Sequence, residues 1–510
     1  MKLDFVRDTK RNVAAAATYS TIKLLLPFLN RTLFLWLLGP AYLGLNGLFG
    51  SILGMLGLAE LGFGAAMACT MYKLVAEDNR ELFCAYLSFY RKAYRCVGSV
   101  VFIAGLCLMP FLRRLIHGQL PPDVNLYILY LIHLTNTAAS YFLFAYRGCI
   151  LSVHNRNDVL SYIRSLVTIV QYVTVFLVLL LTRNYYYYVL TTVAFTLVTN
   201  LLIFRESRRL FPNVEPRGQL SKELRAKVFS EVKAIFLHRV GTVISYQVDN
   251  VVISAFLGLV AVAVYGNYYY VVTSVCALVG AAYASMQSGF GNKIHTTSKA
   301  EIFTLFMKLC RLTQILILWC AAMMLALYQP FITIWTRGDP DLHRHVLTPI
   351  LMVLYFYVNQ SRQALLTFKA AATLWRPDRW KPIIAGGVNL AVNILFVLFL
   401  PDGYKLDGVI LSTILGYVLI QIPWETHVVF THFFASQQQR QYWHFHARFA
   451  ALTLALCGLT WGATLLVPLN GLAGLMTKGV VALVVSGGMT LAFFHDDARK
   501  ILERHRHRNH

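Results

Sequence analysis

The chain has 510 residues, of which 57% are hydrophobic and 14% charged, and its mean hydropathy is +0.57. A water-soluble chain of this length needs a far more polar surface, so the soluble globular classes are excluded and an integral membrane protein is expected. The formal charge of +23 would suggest nucleic acid in a soluble protein, but membrane proteins gather Lys and Arg in cytoplasmic loops, so no nucleic-acid partner is expected.

Crossing a ~30 Å hydrocarbon core takes about 20 helical residues. The N-terminal stretch to Asn12 has the basic look of a signal-peptide start, yet the apolar run behind it carries Lys23 and Arg31 and lacks a small-residue cleavage site. It is therefore read as the first transmembrane helix, with Pro27 as a candidate bend. Walking on with the same ruler predicts about 14 spans: 13–38, 46–72, 96–116, 124–150, 157–182, 185–206, 232–257, 260–288, 302–328, 346–370, 381–400, 406–430, 447–468 and 472–494.

Cations mark alternate loops, at Arg91, Lys92 and Arg95, across Arg205–Lys233, at Lys293 and Lys299, at Arg376, Arg379 and Lys381, and in the tail from Arg499 to Arg508. The intervening loops, such as Gly39–Leu45, are short and poor in cations. Both termini are thus expected on the cytoplasmic side of a multi-pass membrane protein, and Tyr185–Tyr188 fits an outer interfacial belt. Nine scattered cysteines with no paired spacing read as small apolar residues, so neither a disulfide framework nor a metal site is expected.

A weak internal repeat lays Leu38-Gly39, Gly44-Leu45 and Gly47 over Leu257-Gly258, Ala263-Val264 and Gly266. The expected organisation is an all-α polytopic protein: a six-helix bundle over 1–210, a cytoplasmic linker over 211–233, a second pseudo-symmetric bundle over 234–435, two additional helices over 440–495 and a basic cytoplasmic tail over 496–510.

Cations inside apolar spans are the functional signal. Each costs about 2.5–3.5 kcal/mol to insert, so such residues are expected to face a hydrated interior with a task. Lys23, Arg31, Arg164, His238, Arg239 and Arg362 are of this kind, and a cationic interior suits an anionic, phosphate-bearing substrate. Polar stripes at helical spacing support such an interior: His238, Thr242, Ser245 and Asp249; His133, Asn136, Ser140 and Arg147; Tyr355, Asn359, Arg362 and Lys369; Arg164, Thr168 and Gln171. Tyr355, Asn359, His133, Asn136 and Gln171 are the candidates for sugar contact or cavity lining. Asp249 is a candidate coupling-ion residue, with a structural pairing to a cation such as Arg31 as the alternative. Glu60, one of few acids in a span, is read as a structural partner of a base. Arg147 and Lys369 lie at helix ends, where snorkelling is the plain account. The glycines Gly47, Gly50, Gly54 and Gly57 read as a close-packing face. There is no phosphate-binding loop of the nucleotide-hydrolysing type, and the acids of Asp339-Pro340-Asp341 are a lone signal, so no enzyme activity and no cofactor are expected.

Particular stretches look familiar: Arg31–Gly64, Leu87–Arg95, Phe236–Leu259 and Arg379–Leu400 resemble Wzx-type polysaccharide flippases of the multidrug/oligosaccharidyl-lipid/polysaccharide exporter superfamily. The resemblance implies two six-helix bundles with two extra helices. It also implies transport of undecaprenyl-pyrophosphate-linked oligosaccharide across the bacterial cytoplasmic membrane by alternating access, for capsule, exopolysaccharide or O-antigen synthesis. Implied partners are that substrate, membrane lipid, a polysaccharide polymerase and glycosyltransferases. Arg31, the His238-Arg239 pair and Asp249-Asn250 fall in matching motifs, whereas the aromatic run Tyr268–Tyr270 departs from the pattern. An exporter of drugs or organic ions with the same fold would need an acidic interior, and a membrane-embedded glycosyltransferase or polymerase would need a large outer loop.

Overall fold

The computed structural model describes residues 5–57, 63–144, 146–293, 297–372, 374 and 377–494. Among these the structure is helical with no strand, as the composition requires: in hydrocarbon a helix satisfies its own backbone hydrogen bonds. The chain divides into two compact units, Met1–Ala263 and Val264–His510.

The first unit holds α1 (Phe5–Leu38), α2 (Pro40–Leu56), α3 (Phe63–Ala76), α4 (Arg80–Leu108), α5 (Leu126–Phe142), α6 (Arg147–Val153), α7 (Asn157–Thr182), α8 (Tyr185–Leu210) and α9 (Lys222–Leu257). Asparagine and serine caps start several of them. Asn79 accepts from the Leu82 amide, Asn125 from Tyr127 and Ile128, Asn184 from Tyr186, and Ser221 from Leu224. α1 lies along α7, α4 along α5, and α2 along α9.

The second unit takes up most of α10 (Leu259–Lys293), then α11 (Lys299–Trp335), α12 (Leu347–Ser361), α13 (Gln363–Ala371), α14 (Lys381–Phe399), α15 (Lys405–Leu415), a π-helical turn (Gly416–Gln421), α16 (Ile422–His432), α17 (Ser436–Leu465) and α18 (Gly471–Phe493). α11 is its central mast, packed on α12, α17 and α18. Phe303 and Phe306 on α11, Phe368 on α13, Phe430 on α16, Phe434 between α16 and α17, and Tyr442 on α17 form one aromatic cluster.

Ten described helices are long and apolar enough to cross a membrane, or eleven if the bent pair α5–α6 is one span. Pro40–Leu56 and Gln247–Leu257 are shorter apolar pieces. Several runs that are continuous in apolarity are interrupted as helices. α5 and α6 meet at 52°, α12 and α13 part at Arg362, and the π-helical turn divides α15 from α16. Hydropathy measures burial in lipid, and it does not register a turn whose polar groups are satisfied by protein.

The repeated Leu-Gly pair has a backbone cause. Gly39 joins α1 to α2 at φ 100° and Gly258 joins α9 to α10 at φ 89°, both in the left-handed region that favours glycine. Of the glycines of α2, Gly44, Gly47 and Gly54 form a close-approach face, whereas Gly50, expected on that face, has open space around its Cβ position. A Cβ on Gly44 would fall 1.9 Å from the Leu259 carbonyl oxygen, one on Gly47 would meet the Val262 side chain at 3.3 Å, and one on Gly54 would meet Gln247 at 3.0 Å. The stretch between α8 and α9 is also tied down. Val214 and Leu220 are buried, and Arg147 donates to the Val214 carbonyl at 3.3 Å and to Glu215 at 3.1 Å. Tyr185, expected at an outer interface, is instead buried, while Tyr187 is exposed.

Gly44→Ala is expected to force α2 from the start of α10 and to destabilise the protein by about 1–3 kcal/mol. Thermal unfolding in detergent measures this, and Gly50→Ala, with nothing within 4 Å of the new Cβ, should melt with the wild type.

Candidate functional site

The two units carry polar interiors of different chemistry. In the first, α1 presents Asn30 and Arg31. The Asn30 amide donates to the Tyr188 hydroxyl at 3.0 Å, and that hydroxyl also lies in the field of the Arg31 charge. Arg31 is half-buried, and its Nη2 reaches the Ala263 carbonyl oxygen at a long 3.5 Å. Beside it, His133 Nε2 lies 3.3 Å from the Tyr185 hydroxyl, which donates to Asn46 at 3.2 Å. Phe34 stands edge-on to both Tyr185 and Tyr188 and fixes their rings. Asn136 is half-buried on α5, and its Oδ1 is buried with no hydrogen bond among the described residues.

The other expected residues of this unit are placed as follows. Lys23 is exposed on α1, Arg164 is exposed on α7, and Gln171 is half-buried there. Asp249 is buried on α9, next to Asn250, whose amide donates to Ser51 at 2.8 Å. The backbone of α9 includes His238 and Arg239, whose side chains lie outside the described set, and Glu60 lies outside the described residues altogether.

In the second unit a ladder of tyrosine hydroxyls leads into a buried ionic network. Tyr269 and Tyr355 hydroxyls are 3.3 Å apart, and Tyr355 and Tyr417 hydroxyls 3.5 Å apart. The Arg362 guanidinium lies over the Tyr417 ring, 4.7 Å from its centre. It clamps Glu425 with two prongs, Nε to Oε2 at 3.1 Å and Nη2 to Oε1 at 2.5 Å. Lys381 also binds Glu425 and lies 3.2 Å from Asp378, which in turn holds Lys369. All five charged side chains are buried. Asn359 is buried one turn before Arg362, and the Gln363 amide donates to its Oδ1 at 3.5 Å.

The backbone explains why these groups meet. The break after Ser361 puts Arg362 at the joint of α12 and α13, and the π-helical turn widens the helix just before Glu425. Such bulges recur at functional sites because they re-aim a side chain without ending the helix. Of the polar stripe Tyr355, Asn359, Arg362 and Lys369, only the part within α12 keeps its helical spacing, since the helix breaks at Arg362. Lys369, expected to snorkel, is instead 1% exposed and paired with Asp378, and Arg147 is likewise buried against Glu215. Glu425 and Asp378 were not singled out by sequence. The available signal for Glu425 was an acid inside an apolar run, where an unpaired carboxylate is not tolerated. The Tyr268–Tyr270 run also gains a role. Tyr268 donates to Gln329 at 3.1 Å and accepts the Arg344 amide at 3.2 Å, while Tyr269 opens the hydroxyl ladder.

Among the described residues this is a polytopic helical protein with cations and ion pairs inside its helices. The model of the family described as "Polysaccharide biosynthesis protein" matches residues 9–286, more than half of the chain, and the protein belongs to that family. Among solved structures it is similar to the inward closed conformation of the lipid II flippase MurJ, at 14% identity over 95% of this chain and 99% of that one, with a TM-score of 0.69. An inward-facing multidrug resistance MATE transporter of the MOP superfamily aligns at 13% identity over 81% of this chain and 98% of that one, with a TM-score of 0.58. A MOP superfamily transporter from Pyrococcus furiosus aligns at 14% identity over 83% and 96%, with a TM-score of 0.53. No curated protein matches. At these identities the structural likeness is one of fold, the polytopic helical fold of those flippase and transporter structures.

Glu425→Gln leaves Asp378 alone to neutralise three buried cations. A buried charge stripped of its partner costs about 3–5 kcal/mol, so this variant should melt well below the wild type in detergent, and adding Arg362→Leu should restore part of the loss. An unchanged melting temperature for Glu425→Gln would show that the network contributes nothing to stability.

Proposed function

We propose that the protein moves polyprenyl-pyrophosphate-linked oligosaccharide units across the bacterial cytoplasmic membrane by alternating access, through fourteen helical crossings with both termini cytoplasmic. The observation that carries this reading is Arg31. It is a guanidinium in a membrane-spanning helix, half-buried in the field of the Tyr188 hydroxyl, with its Nη2 3.5 Å from the Ala263 carbonyl oxygen. A guanidinium there suits a diphosphate because its planar fork can engage two oxygens at once and stays charged at any working pH. The His133, Asn136 and Tyr188 side chains nearby are donors and acceptors of the kind sugar hydroxyls use. Family membership supports a polysaccharide precursor as cargo, and the MurJ-like fold supports a lipid-linked one. Organic-cation export is disfavoured, because the buried acids Glu425 and Asp378 are already taken up by Arg362, Lys381 and Lys369.

In a strain lacking its own flippase, Arg31→Ala should reach the membrane at wild-type level and fail to restore surface polysaccharide. Arg31→Lys should restore it poorly, since an ammonium cannot make the two-pronged contact. Full restoration by Arg31→Ala would remove Arg31 from the substrate site.

The orientation rests on cation density in the stretch from Arg205 to Lys233. A cysteine at the exposed Gln219 should resist a membrane-impermeant thiol reagent added outside intact cells and react after permeabilisation. Labelling in intact cells would invert the topology.

A further inference from the structure

The end of α11 and the start of α18 enclose a cleft of about 470 Å³ that the proposed substrate path does not use. Its polar lining is Gln329, Thr333, Arg337, Asn470 and Lys478. Two of these are cations, and no carboxylate lines it. The backbone holds Arg337 in place. The chain reverses after α11 through Arg337 at φ 55° and Gly338 at φ 74°, with the Gly338 amide bonded to the Thr333 carbonyl at 2.8 Å. On the other wall, a Cβ on Gly474 would fall 2.2 Å from the Leu469 carbonyl oxygen, so glycine lets the first turns of α18 close against the preceding loop. The amides that begin α18 add partial positive charge on the same side.

Both helices are long and apolar enough to span a membrane, so the cleft lies where a span ends and lipid headgroups begin. Its rim includes the apolar Pro330, Ile334, Leu469 and Leu475, and Leu469 is 48% exposed. A free anion would gain nothing from that rim, whereas a lipid would lay its chains on it while its phosphate met the two cations. We propose that this cleft binds the phosphate headgroup of an anionic glycerophospholipid. The site is separate from the transport reading and does not depend on it.

The test is lipid binding to the full-length protein in neutral detergent, read by native mass spectrometry with phosphatidylglycerol, phosphatidylcholine or inorganic phosphate. Phosphatidylglycerol should bind more tightly than phosphatidylcholine. The Arg337→Gln/Lys478→Gln double variant should weaken phosphatidylglycerol binding by about tenfold or more, the loss expected on removing charged hydrogen bonds. Thr333→Trp, which fills the cleft without changing charge, should weaken it as well. Lys308→Gln, an exposed cation far back along α11, should leave it unchanged. Melting temperatures confirm that each variant is folded. The proposal is overturned if the double variant and Thr333→Trp both bind phosphatidylglycerol like the wild type, or if phosphatidylcholine binds equally well. Inorganic phosphate binding as tightly as the lipid would overturn the lipid assignment.

Discussion

An ionised side chain in hydrocarbon must be matched, and the Glu425 carboxylate is where the second unit meets that requirement. It accepts from Arg362 at the joint of α12 and α13 and from Lys381 at the start of α14, while Asp378 links Lys381 to Lys369 at the end of α13. Four elements that share no continuous hydrophobic stripe are thereby fixed to one another. Three cations against two carboxylates leave the cluster with one positive charge, so it is poised towards anions even though its members are internally engaged. A buried network of this kind is weak evidence for stability over an apolar equivalent, but breaking it from one side is expensive. It therefore acts chiefly as a constraint on geometry.

That constraint gives meaning to the interrupted helices. A regular helix would carry Arg362 through its turn along the α12 axis. The break after Ser361 and the π-helical turn at Gly416–Gln421 instead turn Arg362 and Tyr417 onto one another and bring Glu425 into reach. The first unit shows a related arrangement, with Arg147 opening α6 directly after the bend and reaching Glu215 beyond α8. In both units an arginine sits where the backbone ladder is disturbed, and its donors bind a carboxylate while its plane lies on an aromatic face, Tyr417 in one case and Phe204 in the other. In each case the arginine–glutamate pair ties the disturbed backbone to another part of the same unit.

The fold was largely legible in the sequence because its determinants are local. Apolar run length marked most of the long helices, but the runs expected at 46–72, 124–150 and 346–370 each cover two helices, α2 and α3, α5 and α6, and α12 and α13, while the Leu38-Gly39 and Leu257-Gly258 pairs marked two joints that need left-handed backbone. Of the stripe Tyr355, Asn359, Arg362 and Lys369, helical spacing carries only the part within α12, since the helix breaks at Arg362. What spacing cannot supply is the identity of a partner. Glu425 lies 63 positions from Arg362, and nothing local links them. Lys369 looked like a snorkelling helix-end lysine because its escape from hydrocarbon was assumed to be water, when it is Asp378, nine positions on. The same gap separates Lys23 and Arg31. They share one face of one helix in the sequence, yet one is exposed and the other half-buried among Asn30, Tyr188 and the Ala263 carbonyl.

The contrast between the two units bears on how an anion could be recognised. For a diphosphate to take Arg362, the guanidinium must leave Glu425, and the abandoned carboxylate would remain buried with Lys381 as its nearest compensation. The cost of breaking such a pair is about 3–5 kcal/mol, comparable to the gain from one or two charged hydrogen bonds to phosphate, so the exchange brings no net affinity by itself. Around Arg31 the contacts are of another kind, an Asn30 amide on the Tyr188 hydroxyl and a guanidinium reaching the Ala263 carbonyl oxygen. The network of the second unit keeps its own cations out of competition and holds Tyr355 and Tyr417, with Asn359 one turn away, in a fixed, hydroxyl-rich array.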